Sequence, residues 1–255
     1  MPPFIQTFHQ ASIGVAGFLI VAALSYAYWW RRLRAVHGLL EVRARHAATF
    51  AAGLVVLAVA LAGPLDWIGE RRLLSGHIVA HLLIVSVAPA LMLIAVPRPA
   101  WPGAVINLDP RRTAVICATG AVATIWLLHV PAVLDAGLQS PALNDLQHAP
   151  LLLAGIALAW PLVGPRPVAG LAAVAYLAIV ELGVGVVGVW LTWFPEVAYD
   201  SYLQVPRLWD LSARTDQSLA GAIWLVVEEP FLAIEVAILF IRALDDHEPD
   251  DDDDS

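Results

Sequence analysis

Apolar residues run along this chain in long unbroken stretches separated by short polar segments. Seven such stretches stand out, at about 11–30, 47–63, 73–96, 113–129, 145–163, 168–190 and 218–241. Crossing ~30 Å of hydrocarbon takes about 20 helical residues, and most of the stretches are long enough. They are continuous rather than alternating, which excludes transmembrane strands. A helix is the form that satisfies its own backbone polar groups in lipid. The breaks fall at turn chemistry: Gly63-Pro64, Pro97-Arg98-Pro99, Asp109-Pro110 and Gly164-Pro165-Arg166-Pro167. The pattern therefore predicts an all-α integral membrane protein, a bundle of seven transmembrane helices over residues 1–244.

Arginine placement sets a direction for the bundle. With the N-terminus outside, the inner segments carry Arg31, Arg32, Arg34, Arg43, Arg45, Arg98, Arg111, Arg112, Arg166 and Arg242, while the outer ones carry Arg71, Arg72, Arg207 and Arg214. Basic residues concentrate on the cytoplasmic side of membrane proteins, so the expectation is an outer N-terminus and a cytoplasmic C-terminus. No basic residue precedes the first apolar run and a cluster follows it, as in a retained anchor and unlike a cleaved signal peptide. Trp29, Trp30, Trp126, Trp160 and Trp190 fall at span ends, where interfacial aromatic belts form.

Composition agrees. Of 255 residues, 60% are hydrophobic and 14% charged, against roughly 45–50% and about 25% in soluble domains. A soluble enzyme is excluded, and the net charge of −8 excludes a nucleic-acid binder. That charge sits in Asp245, Asp246, Glu248 and Asp250 to Asp254; without them, 14 arginines face 14 carboxylates. Residues 245–255 read as a disordered acidic tail. A single cysteine, Cys117, leaves no internal disulfide and no paired thiolate site.

The candidate chemistry lies in the histidines. His77 and His81 fall in the outer half of the third span, His129 at the outer end of the fourth and His148 at the outer start of the fifth. Residues four apart share a helix face about 6 Å apart, so the HxxxH pair can bind one metal ion. Histidines from two further helices would complete a three- or four-nitrogen site, provided that the helices are neighbours. The ordinary alternative is four separately satisfied interfacial histidines. Met92 and Cys117 lie toward the inner half, away from this group.

Carboxylates form a second layer. Asp135, Asp145 and Asp216 share the outer boundary and Glu181 lies in the outer half of the sixth span. They suit either orientation of imidazoles through their second N–H and uptake of released protons, or plain capping. Glu228, Glu229 and Glu235 lie deeper, where acids are expensive; their role stays open. Gly183, Gly185 and Gly188 spell GxGxxG, but no strand precedes them, so close helix packing is the reading. Pro89 predicts a kink.

At these residues the chain resembles the CtaG family of cytochrome c oxidase assembly factors, in its polytopic membrane form. The segment from His77 through His81-Leu-Leu to Pro89 is similar to that family's HxxxH-LL…AP-L block. His129-Val-Pro131 with Asp135 resembles its HxP…D block, and Pro141 to Pro161, with His148 and Trp160, resembles the next span. Asp216-Gln217…Gly221…Trp224 resembles the DQ…G…W opening of the last helix. Two departures stand out. Asn144 replaces a histidine expected four residues before His148, and Glu228-Glu229-Pro230 replaces smaller uncharged residues.

The resemblance implies a non-enzymatic factor of the bacterial cytoplasmic membrane that binds or delivers copper for the haem-copper oxidase catalytic subunit. The implied metal ligands are His77, His81, His129 and His148, with Asp135, Asp216, Glu181 and Asn144 in support. The implied partners are cytochrome c oxidase subunits and a periplasmic copper carrier. Imidazole suits copper, and the missing histidine suits an ion that must leave. Two other classes compete. One is an intramembrane zinc hydrolase acting on a lipid, since three histidines and a carboxylate can activate a zinc-bound water. The other is a membrane cytochrome with bis-histidine haem. The HxP and DQ…G…W blocks favour the assembly factor.

Overall fold

The computed structural model describes residues 13–97, 100–101, 109–206 and 208–227. Within them the regular structure is helical: α1 Ile13–Glu41, α2 Ala44–Ala62, α3 Pro64–Arg71, α4 Leu74–Ile94, α5 Pro110–Leu128, α6 Pro131–Gln139, α7 Pro141–Val163 and α8 Gly170–Trp193. A 3₁₀ turn follows at Asp200–Tyr202, and α9 is described over 213–227. Five helical segments are long and apolar enough to cross a membrane: Ala44–Arg71, α4, α5, α7 and α8. The described part of the first predicted span, 13–30, falls within α1, which runs on to Glu41 and bends at Gly38 (φ 81°). The last falls partly on α9. The acidic tail, Glu228, Glu229, Glu235, His9 and His247 lie outside the described residues.

The side chains are sorted inside out relative to a soluble protein. Leu171 is 83% exposed and Leu182 75%, and Leu24, Leu153, Ile179 and Val226 also point outward. The buried polar side chains among the described residues are Ser75, His77, His81, His129, Asn144, His148, Asp216 and Gln217. All belong to the starts of α4, α7 and α9 or to the end of α5, so they gather at one end of the bundle. An apolar exterior with a polar interior is what lipid surroundings select, and the protein is a multi-pass membrane protein.

Helix α4 is the most enclosed of the candidate spans. It packs between α2 and α7, while α5 covers the other side of α7 and α8 packs on α5. The bend expected at Pro89 takes the form of a π turn at Leu83–Val87 just before it. Proline lacks the N–H that would reach the carbonyl four residues back, so the Val85 carbonyl has no helical donor from position 89. Gly155 of α7 approaches it so closely that an added Cβ would lie 2.1 Å from the Val85 oxygen. The GxGxxG glycines serve packing too: a Cβ on Gly188 would lie 2.9 Å from Leu225, and one on Gly183 3.1 Å from Val122.

Two short helices, α3 and α6, were not expected as separate elements. Each starts at a proline in the first turn, a position where the missing N–H costs nothing. Helix α3 lies across the first turn of α4: a Cβ on Gly69 would meet the His77 backbone at 2.8 Å, and one on Gly76 would come within 3.3 Å of Gly69.

The α4–α7 crossing yields a direct test. Gly155→Ala forces a methyl group against backbone, and overpacking of this kind typically costs about 1–3 kcal/mol. The exposed Gly120 has nothing within 4 Å of an added Cβ, and alanine favours the helix there. Thermal unfolding in micelles is expected to show a lowered midpoint for Gly155→Ala and an unchanged or raised one for Gly120→Ala. Equal behaviour would show that the crossing is not close-packed.

Candidate functional site

The four histidines singled out by the sequence come together. His77 and His81 lie along one face of α4, their rings tilted to each other with centroids 4.1 Å apart. His81 meets His129 edge-on at 5.2 Å and His148 edge-on at 5.6 Å. All four are 2–7% exposed. The helices that carry them are neighbours because α7 packs on both α4 and α5.

Hydrogen bonds fix part of the proton arrangement. His129 Nδ1 lies 2.7 Å from the Ile125 carbonyl. A carbonyl can only accept, so Nδ1 carries the proton, and in the neutral ring Nε2 holds a lone pair. His81 Nδ1, 3.3 Å away, then donates to it, which leaves the lone pair of His81 on Nε2. His77 Nε2 and His148 Nδ1 are buried without a hydrogen-bond partner, as is the indole N–H of Trp224. That indole belongs to a fully buried ring edge-on to His129 at 5.0 Å. Unpaired buried polar groups each cost about 1–3 kcal/mol. Three of the buried unpaired atoms belong to this group of rings.

Among the described residues, no three His, Cys, Asp or Glu side chains converge as the ligands of one metal ion. The donor chemistry nevertheless fits an imidazole-binding metal. Bonds of 2.0–2.1 Å in a tetrahedral shell place neighbouring nitrogens roughly 3.3 Å apart; His81 Nδ1 and His129 Nε2 have that separation and become two donors once the His81 proton moves to Nε2. The His129 Nδ1–H to carbonyl bond is also the outer contact that orients a ligating histidine.

The supporting residues divide by task. Asp216, fully buried in the first turn of α9, accepts hydrogen bonds from Leu74 N (2.7 Å), Ser75 N (3.1 Å) and Ser75 Oγ (2.6 Å). It caps the N-terminus of α4 from another helix, where the α4 N-cap residue Leu73 makes no side-chain cap bond. Asp135 accepts from Asp200 N and Ser201 N at 3.2 and 3.0 Å. Both aspartates thus follow the capping alternative. Asn144 donates to Glu70. Glu181 lines a separate 260 Å³ cavity with Ser86 and Tyr176.

Sequence reasoning passed over the segment that closes the site. The Tyr199 hydroxyl donates to the His129 carbonyl (3.0 Å) and the Tyr202 hydroxyl to the Gly69 carbonyl (2.5 Å). Burial, helped by Asp135 at Tyr199 and by Asp216 and Glu70 at Tyr202, pushes both phenols well above the usual tyrosine range, so they stay donors. Gln217 clamps the same segment, accepting from Ala198 N (2.7 Å) and donating to the Glu196 carbonyl (3.0 Å). The Asp-Gln pair therefore holds two things at once, the start of α4 and the loop over the histidines. The Tyr-x-x-Tyr spacing in the segment between α8 and α9 was the available signal.

A family model described as cytochrome c oxidase caa3 assembly factor matches residues 24–246. No curated protein and no solved structure matches the chain significantly.

The cap generates its own test. Asp216→Ala leaves two buried N–H groups and a hydroxyl unpaired, an expected loss of about 2–4 kcal/mol. Asp216→Asn keeps one carbonyl acceptor and should lose less. Unfolding in micelles gives the order wild type, Asn, Ala. Hydrogen exchange at Leu74 and Ser75 should rise most in the alanine variant, and unchanged exchange there would refute the capping role.

Proposed function

The chain belongs to the family of cytochrome c oxidase caa3 assembly factors, and from that membership we propose that it carries copper as cargo for the oxidase catalytic subunit. His77, His81, His129 and His148 are the residues that hold the ion, and the role is non-catalytic. The observation that carries this reading is the group of four buried imidazoles with two unpartnered ring nitrogens, His77 Nε2 and His148 Nδ1. Imidazole is a donor that copper accepts. In the metal-free arrangement His81 and His129 share a proton across 3.3 Å. Taking up an ion between those two nitrogens moves that proton to His81 Nε2, a change of tautomer in a neutral ring that releases no net acid.

The surroundings support transfer over storage. Asn144 stands where a further histidine was expected and binds Glu70 instead, which leaves the ligand set loose. The topology belongs to the same proposal: seven spans in the bacterial cytoplasmic membrane, N-terminus outside and C-terminus cytoplasmic, place the histidines near the outer face. There both a periplasmic carrier and a membrane-embedded oxidase subunit can reach them.

Elemental mass spectrometry of copper, zinc and iron on protein purified from copper-supplemented cells tests the reading. Copper in the wild type that falls at least tenfold in a His77→Ala/His81→Ala variant is the expected result. Gene deletion should leave oxidase polypeptides made but copper-poor under copper limitation. Fully metallated oxidase in the deletion strain would overturn the role, and stoichiometric zinc with lipid hydrolysis would replace it.

A further inference from the structure

Helix α1 continues past Trp30, the last residue of its apolar run, before the chain turns into α2. Tyr26, Tyr28, Trp29 and Trp30 form an aromatic band there, and such bands sit at the level of the lipid headgroups. The turns beyond the band carry Arg31, Arg32 and Arg34, and the start of α2 adds Arg43 and Arg45. Glu41 is the one carboxylate between residues 31 and 45, and it lies 3.8 Å from His37. Among the described residues no carboxylate pairs with any of these five arginines.

The arginines are held in place without being neutralised. Arg34 lies over the Trp30 ring at 4.8 Å and Arg32 over the Tyr28 ring at 5.5 Å. Arg32 Nε also donates to the Tyr28 hydroxyl (3.1 Å), and Arg43 Nε to the Leu40 carbonyl (3.0 Å). Arg34 Nε is buried and has no hydrogen-bond partner among the described residues. The two helices beneath are tied together: Tyr26 stacks on Phe50 of α2 at 3.8 Å and donates to the Ala95 carbonyl after α4 (2.7 Å).

Apolar side chains stand among these charges. Val36 is 77% exposed and Leu40 84%, and Leu39 also points outward. A face turned to water accounts for the arginines and not for the leucines. A lipid surface takes both, because segments lying at the interface sink apolar side chains below the headgroups and offer basic ones to phosphate.

We propose that the turn between α1 and α2 is a binding site for an anionic phospholipid. The arginines receive its headgroup phosphate, while Val36, Leu39 and Leu40 meet its acyl region. A guanidinium can stack on an aromatic ring and still present a planar fork of N–H groups to phosphate oxygens. The acidic segment 245–255 matches the patch in charge, but it offers no large apolar side chain to cover the leucines. The proposal stands apart from the copper reading.

Native mass spectrometry of the full-length protein, released from micelles containing phosphatidylglycerol or phosphatidylcholine, reads the retention of each lipid. Each arginine beside an anionic surface strengthens attraction roughly fivefold. The wild type should therefore hold phosphatidylglycerol about tenfold more tightly or better. Arg31→Gln/Arg34→Gln should weaken that binding about 25-fold and leave phosphatidylcholine unchanged. Arg111→Gln/Arg112→Gln removes the same charge from the exposed start of α5 and should change neither.

Equal retention of the two lipids by the wild type overturns the proposal. An equal loss in both double variants does so too, since the effect would then be one of overall charge. Displacement of the lipid by millimolar inorganic phosphate would make this a site for the free ion. Selectivity that emerges only after removal of residues 245–255 would assign the patch to that segment. Either outcome refutes the lipid. Should Arg31→Gln/Arg34→Gln fail to fold, Arg43→Gln/Arg45→Gln takes its place with the same expectation, and unchanged binding in it refutes the site.

Discussion

The carboxyl of Asp216 ties the start of α4 to the start of α9, and the site depends on that bond. In lipid-like surroundings a helix N-terminus has no water to satisfy its first N–H groups. Leu73, the residue before α4, has no side chain that can do so. By reaching across from α9, Asp216 supplies the missing acceptor and places negative charge at the positive end of the α4 dipole. His77 lies two residues beyond Ser75, so the register of the HxxxH face follows from this contact. Gln217, the next residue, points the other way and holds the covering segment.

A bundle in lipid gains little from burying one more leucine, because the bilayer is as apolar as the leucine. Specificity must then come from polar bonds and from close backbone approach. Both occur along α4, the polar bonds at its start and the closest backbone approach near its middle. At the histidine end the helices are joined by Asp216, by Tyr202 on Gly69 and by Tyr199 on His129. Farther along, α4 and α7 meet where the π turn before Pro89 aims the Val85 carbonyl at Gly155. The first kind of joint is directional and fixes rotation; the second fixes distance. Together they hold α4 in one position between α2 and α7.

Much of this was legible in the sequence, for physical reasons that also explain what was not. Long apolar runs announce membrane helices because lipid permits little else, so α2, α4, α5, α7 and α8 fall where the hydropathy pattern puts them. The four histidines could be grouped because depth in a membrane is a single coordinate, and sequence position within a span determines it. Helices α3 and α6 fell between the predicted spans, and at Pro64 the reason is plain, since a proline punctuates a chain equally well as the end of one element or the first turn of the next. Tyr199 and Tyr202 lay in a segment whose path over the site no periodicity encodes.

The residues named as the frame and the histidines within it differ in how their polar groups are paired. Asp216, Gln217, Asp135, Tyr199 and Tyr202, the residues that build the frame, have hydrogen-bond partners. His77 and His148, the residues within the frame, keep ring nitrogens without one. A histidine retained only for stability would be expected to follow the first pattern, since an unpaired buried nitrogen is a net cost. The frame bears that cost with fully paired groups around it and holds the imidazoles rigidly but incompletely satisfied. For the proposed copper cargo, such an arrangement leaves those two nitrogens free to bind without first breaking a hydrogen bond, and none of the frame contacts passes through the ion.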